Sequence, residues 1–182
     1  MQKKNYQEEI LNLIHSGLPQ QELAERLSDY HENDLADALA ALTPDERQKL
    51  YAVLGVERVA EIFSYLDDAE PYLKELPSEK AAKVVSNMDS DDAVDVLDDL
   101  EEEDKDKIVK QLDQDSAEDV RMLLSYGEDE IGSSMTTNYI CIRKDMTIRQ
   151  AMSELVKQAG ENDNISTLYV VDENDKFYGA ID

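Results

Sequence analysis

From His31 onward the chain keeps a beat of twelve residues. The units are HENDLADALAAL from His31, TPDERQKLYAVL from Thr43, GVERVAEIFSYL from Gly55, a shortened DDAEPYLKEL from Asp67, PSEKAAKVVSNM from Pro77, DSDDAVDVLDDL from Asp89, EEEDKDKIVKQL from Glu101 and DQDSAEDVRMLL from Asp113. Each opens on cap residues and acids and closes on apolar residues three apart, the pattern of a short helix of two to three turns. Thr43, Pro44 and Glu46 show the start in full. Threonine caps orphan N–H groups, proline suits the first helical position, and a glutamate three residues on closes a capping box. Helices this short are marginal alone in water, so they must gain stability by packing on neighbours. The expected architecture is mainly α: a superhelical stack of short helices, α-solenoid-like, over residues 1–125.

The beat stops at SYGEDEIGSSMTTNY, where Gly127 and Gly132 bracket a polar segment, and residues 126–134 read as a linker. Residues 135–182 change rhythm to strand, helix, strand, turn, strand. NYICIR alternates apolar and polar residues. Thr147 and Gln150 form a capping box before IRQAMSELVKQA, in which Ile148, Met152 and Leu155 fall at helical spacing. TLYVVDEN is rich in β-branched and aromatic residues, ENDKF supplies a turn, and the chain ends inside FYGAID, so an α/β unit is expected to be cut short.

Charge narrows the function classes. With 43 Asp plus Glu against 18 Lys plus Arg, the net charge is -25. Nucleic acid is excluded as a partner, because phosphate contacts need clustered Lys and Arg; divalent cations or basic proteins suit the chain better. The 41% hydrophobic content is enough for a core. One cysteine, Cys141, rules out an internal disulfide. The N-terminus MQKKNYQEEILNLI lacks the apolar run of a signal peptide, and no stretch approaches the ~20 apolar residues of a membrane span. The chain as given is expected to be soluble and cytoplasmic.

The acids concentrate in DSDDAVDVLDDLEEEDKD, residues 89–106, which holds eleven carboxylates and one lysine. Placed on a helix at about 100° per residue, Ala93, Val96, Leu97 and Leu100 share a core face, while Asp91, Asp95, Asp98 and Glu102 form a stripe on the opposite face with no basic residue four positions away. Acids in a first helical turn interact favourably with the helix dipole, which accounts for Asp91 and Asp92. It accounts poorly for Asp95, Asp98 and Asp99, since like charges four apart repel by ~0.2–0.5 kcal/mol a pair. A solvated face and a cation- or partner-binding face both remain open. A cation here would be Mg²⁺ or Ca²⁺, because hard ions take oxygen ligands. A flat helix face cannot wrap an ion, so docking of a second surface would have to complete the site. DENDKFYG at Asp172 lacks the EF-hand pattern and reads as a hairpin turn. His15 and His31 are isolated, Cys141 falls in a strand, Ser133 and Ser134 lie in no nucleophile elbow, and no glycine loop cradles phosphate. No enzyme is expected.

The acidic repeat runs into LLSYGEDEIGSSMTTNYICIRKDMTIRQAMSEL and then STLYVVDENDKFYGAID. This succession closely resembles the cytosolic N-terminal part of MgtE-type magnesium channels, with its joint and the first half of its CBS region; Tyr126 to Thr137 is the most specific segment. The resemblance implies a Mg²⁺ sensor at the cytoplasmic face of the cell membrane. Mg²⁺ between acidic N-domain and CBS surfaces would favour a closed pore, and low Mg²⁺ would release it. Carried over by position, Glu61, Asp91 and Asp95 are the implied ligands, with Asp98 and Glu102 as weaker candidates and the partner carboxylates past Asp182. It also implies a homodimer through the CBS region and a transmembrane pore elsewhere in the same protein. Some members bind ATP at the CBS region, but Thr167 stands before LYVV where an aromatic would stack on a base, so no nucleotide residue is named. Two other readings stand beside the sensor: an acidic helical interaction module, and a nucleotide-responsive CBS regulator of an unrelated enzyme.

Overall fold

In seven of the eight repeat units the first residue is the residue that caps a helix: His31, Thr43, Gly55, Pro77, Asp89, Glu101 and Asp113. The structure, a computed structural model, describes residues 6–127, 129–160, 162 and 165–181. The chain divides into two units, Met1–Ser133 and Ser134–Asp182.

In the first unit, α1 (Tyr6–His15) and α2 (Gln20–Leu27) precede the repeats. The repeats then supply α3 (Glu32–Leu39), α4 (Pro44–Leu54), α5 (Val56–Phe63), α6 (Glu70–Lys74), α7 (Ser78–Val85), α8 (Ser90–Asp98), α9 (Glu102–Val109) and α10 (Gln114–Leu123). Thr43 and Glu46 make the expected capping box, with Thr43 N–H donating to Glu46 Oε2 at 2.8 Å. The stack grows by packing alternate helices. One row runs α1, α3, α5, α7, α9, while α2 packs on α4 and α8 on α10.

The repeat fixes what is buried. Positions five, six, eight and nine carry Val59, Ala60, Ile62 and Phe63 in one unit, Ala81, Ala82, Val84 and Val85 in another, and Ala93, Val94, Val96 and Leu97 in a third, all in the core. Position twelve closes the turn in four of the units. Leu42, Leu66, Met88 and Leu100 each donate their N–H to the carbonyl three residues back, which tightens the helix end and points the chain at the next cap. For this reason the continuous helix expected from Asp91 to Glu102 does not form. Leu100 is buried in the turn, Asp99 caps the end of α8, and Glu101 caps the start of α9.

The shortened unit departs from the rule. Its helix α6 has five residues and starts after Ala69. Side chains from α4 hold it in place. Arg47 Nε donates to Glu75 Oε2 at 2.9 Å, a second guanidinium nitrogen binds Glu75 Oε1, and Gln48 donates to the Glu75 carbonyl at 2.9 Å. Arg47 also donates to the carbonyls of Leu39 and Leu42, closing the end of α3, and lies over the Tyr72 ring. Arg58 performs the same service for α2, donating to the carbonyls of Leu27 and Tyr30 and to Glu32.

Asp113 ties two units together. Its carboxylate accepts from the N–H and the hydroxyl of Ser116, at 3.0 and 2.8 Å, and its N–H donates to the Ser86 hydroxyl at 3.3 Å. The Ser116 N–H, together with the serine hydroxyls, holds its carboxyl below the ordinary aspartate value of 3.8. A depressed acid stabilises the fold in full above its unfolded value, and that contribution fades as pH falls through the folded one. Asp113→Ala is therefore expected to cost about 1 kcal/mol at neutral pH, as lost caps do, with the deficit shrinking in urea melts run progressively below pH 4. A deficit independent of pH would show that the charge is not involved.

Within the segment read as a linker, the chain is tied down. Glu130 accepts the N–H of Gly127 at 2.8 Å and a 3₁₀ turn follows over Ile131–Ser134. Gly132 lies against the Tyr126 ring, where an added Cβ would stand 2.4 Å from Cδ1. Close approach, not backbone freedom, makes this position glycine.

The second unit is a three-stranded sheet in the order β1 (Ile140–Arg143), β2 (Leu168–Val171), β3 (Phe177–Ile181), with β1 parallel and β3 antiparallel to β2. Helix α11 (Ile148–Gln158) makes the crossover from β1 to β2, behind the expected Thr147–Gln150 capping box. Of the apolar residues singled out in this helix, Leu155 packs on Ile140, Ile142 and Val170; Ile148 and Met152 are exposed, and Ala151 takes the core position instead. The Gln158 side chain acts as a substitute strand for the free edge of β1, donating to the Cys141 carbonyl at 2.9 Å and accepting its N–H at 3.0 Å. Burial pushes the Cys141 thiol up, and Asp175 adds to the effect.

Among the described residues no helix is long and apolar enough to cross a membrane.

Candidate functional site

Helix α8 holds the acidic face, and the repeat explains its placement. With positions five, six, eight and nine committed to the core, Asp91, Asp92 and Asp95 are left at positions three, four and seven. Asp91 is half-buried, and its Oδ1 is shielded from solvent and meets no hydrogen-bond donor. Such an atom is costly to a fold, by about 1–3 kcal/mol. Asp95 is exposed as a residue, yet partial desolvation, followed by repulsion from Asp92, Asp91, Asp98 and Asp99, pushes its carboxyl above the ordinary aspartate value. No basic residue occupies the last turn of α8, and two acids end it, against the helix dipole.

The remaining residues of the stripe part company. Asp98 ends α8 and pairs with Lys105 of α9, whose side chain is only 16% exposed. Glu102 is exposed on α9 itself, in its first turn beside Glu103 and Asp104. The relief that the stripe lacks four positions away thus arrives seven positions on, across a helix break. Sequence reasoning missed Lys105. The signal was its repeat position: Lys105 is fifth in its unit, where Leu35, Val59, Ala81, Ala93 and Ala117 stand in others and face the core. Arg47, the other cation at position five, is 11% exposed. A cation at that position is drawn inward and must find a carboxylate.

Glu61 is exposed on α5. Among the described residues no three Asp, Glu, His or Cys side chains converge closely enough to hold an ion. Glu61, Asp91 and Asp95 therefore do not complete a ligand set within these residues. What α8 offers a hard divalent cation is part of one: oxygen donors only, crowded by like charge.

The acids from Asp172 to Asp175 are spoken for. Asp172 accepts the N–H groups of Asn174 and Lys176 at 2.8 and 3.1 Å, Asp175 takes a positive φ of 58°, and Glu173 and Asp175 pair with Lys144 and Arg143. That is the turn of the β2–β3 hairpin. His31 caps α3, accepting the Asn33 N–H, and His15 lies 2.9 Å from Glu46.

Comparison with known proteins locates the same two units. Residues 30–129 match the family model described as the MgtE intracellular N domain, and residues 129–182 match that of the CBS domain. Proteins named magnesium transporter MgtE are similar in sequence. That of Enterococcus faecalis is 39% identical over 145 residues, 78% of this chain and 32% of the relative. That of Bacillus subtilis is 28% identical over 169 residues, 85% of this chain and 38% of the relative. The chain thus spans about a third of the length of these relatives. Among solved structures, the soluble part of a magnesium transporter superimposes with a TM-score of 0.89 at 27% identity, covering 98% of this chain and 71% of that one. The cytosolic domain of the Mg²⁺ channel MgtE in complex with ATP gives 0.81 at 28% identity, covering 96% of this chain and 72% of that one.

Proposed function

This chain belongs to the MgtE family, and from that premise we propose that it is the Mg²⁺-responsive regulatory region of a magnesium channel, held at the cytoplasmic face of the membrane. Asp91 and Asp95 of α8, with Glu61 of α5, supply part of a carboxylate set that another acidic surface of the full-length protein completes. Asp98 and Glu102 are secondary: one is already paired and the other sits on the next helix.

The observation that carries this reading is the state of α8. Asp95 is crowded by four acids, and no basic residue occupies the last turn of the helix to relieve them. A face built only for solubility would intersperse bases among its acids, as α9 does with Glu103–Lys107 and Asp106–Lys110. Crowded carboxylates also set the mechanism. Two carboxylates ~6 Å apart repel by about 0.7 kcal/mol in water, and more in a partly desolvated interface, so two acidic surfaces stay apart until their charge is neutralised. Bound Mg²⁺ would supply that neutralisation and a shared ligand centre. A site completed only on docking binds the docked state alone, and differential affinity of this kind is what shifts such an equilibrium. Docked surfaces would favour the closed pore, and separated ones would release it. Homodimerisation through the CBS region belongs to the same proposal. The ATP of the neighbouring solved structure carries over to the second unit only as a class of ligand.

The test is the radius of gyration of the whole cytosolic region, followed by X-ray scattering during a MgCl₂ titration with NaCl at matched ionic strength. The expected result is compaction by MgCl₂ that NaCl does not reproduce, and that Asp91→Asn and Asp95→Asn each weaken. Equal responses to the two salts would reduce the stripe to a screened, solvated face.

A further inference from the structure

Lys105 sits where the repeat places core residues. Its unit begins at Glu101, and the equivalent fifth positions are Ala93 in the unit before and Ala117 in the unit after, both buried. A lysine there can bury its four-carbon stem only by carrying its ammonium to an acceptor. The side chain is 16% exposed, and the ammonium is seated on Asp98 at the end of α8. The other lysines of α9 behave differently. Lys107 pairs with Glu103 and Asp104 and Lys110 with Asp106, all within their own helix and with lysine side chains 49% and 72% exposed. Lys105 alone of these three reaches the acidic face of another helix, and it does so from a desolvated position.

We infer that Lys105 is a tethered cation on the α8 face, which occupies Asp98 and so sets how tightly a dissolved divalent cation binds at Asp91 and Asp95. The inference rests on the proposed reading of α8 as a cation-binding surface. An ammonium already held by that face is a competitor in two ways. It withdraws Asp98 from the ligands on offer, and it adds one positive charge near any ion that arrives. Its tether gives it a constant effective concentration, so it sets a threshold that a dissolved ion must exceed. The consequence is a face tuned to low affinity.

The experiment is a MgCl₂ titration of the whole cytosolic region followed by backbone amide shifts of α8, against NaCl at equal ionic strength. Lys105→Met keeps the buried stem and removes the charge; Lys105→Gln makes the same comparison with a polar end, and the amide spectrum shows directly that each variant is folded. Loss of one neighbouring positive charge is expected to tighten Mg²⁺ binding by about threefold or more. Lys105→Met combined with Asp98→Asn restores the net local charge of the parent chain and is expected to return the midpoint to within about twofold of it. If the parent binds Mg²⁺ in an Asp95-dependent manner but both Lys105 variants share its midpoint, Lys105 is a structural staple and the inference is overturned, with the proposed function intact. If neither parent nor variants show α8 shifts specific to MgCl₂, the cation-binding reading of α8 falls and takes the inference with it.

Discussion

Arg47→Ala is expected to lower the unfolding free energy by about 2–4 kcal/mol, measured by urea denaturation, because the substitution strands several groups at once. Arg47 and Glu75 are 11% and 20% exposed, so the carboxylate left behind is largely desolvated. The carbonyls of Leu39 and Leu42 lose the donor that closes α3. The Tyr72 ring loses the guanidinium above it, 5.2 Å from the ring centroid. Combining Arg47→Met with Glu75→Met should recover much of the loss, since removing both charges leaves neither one buried and unpaired. A loss below about 0.5 kcal/mol for Arg47→Ala would mean the cluster is solvated in solution and contributes as little as a surface pair.

Phe63→Ala is expected to cost about 3–5 kcal/mol, the range for emptying an aromatic site in a packed core. Phe63 is fully buried, with the ring of Tyr51 at 5.6 Å edge-on and that of Tyr72 at 6.2 Å. Tyr51 is itself buried, its hydroxyl meets no partner, and desolvation with Glu75 nearby pushes its ionisation far up, so it is a neutral wall of this site. Because Tyr72 touches both Phe63 and Arg47, the two substitutions share a neighbour. Their combination is expected to cost less than the sum, and strict additivity in the same denaturation series would show that the aromatic cluster does not couple them. Both predictions converge on the shortened repeat unit, where five helical residues replace the usual eight or more and the anchoring comes from α4 and α5.

Much of this molecule can be read from local pattern. The caps at His31, Thr43 and Asp113, and the capping box at Thr147, follow from residue chemistry within three positions, and the structure makes each of those bonds. The hairpin turn at Asp172 is equally local. In α11 the helix and its capping box form as the spacing indicates, but spacing does not say which side is covered. Ile148 and Met152 share helical spacing with Leu155, yet among the described residues the three short strands pack against Ala151 and Leu155. Spacing shows which residues share a side; the size of the opposing layer decides how many of them it covers. The acidic stripe shows the converse. Its acids were visible at once, but a helix drawn straight from Asp91 to Glu102 ignores the turn that the repeat imposes at Leu100.

The sequence by itself determined where helices begin, which positions of each unit face the core and which carry the acids, because caps and periodic burial act over a few residues. The tertiary structure decided where the inward-facing cations go. Arg47 finds Glu75, 28 residues away, and Lys105 finds Asp98 across a helix break. A desolvated charge must be paired, and the partner is set by which helices the stack brings side by side. Local pattern can name the need for a carboxylate but not the carboxylate that meets it.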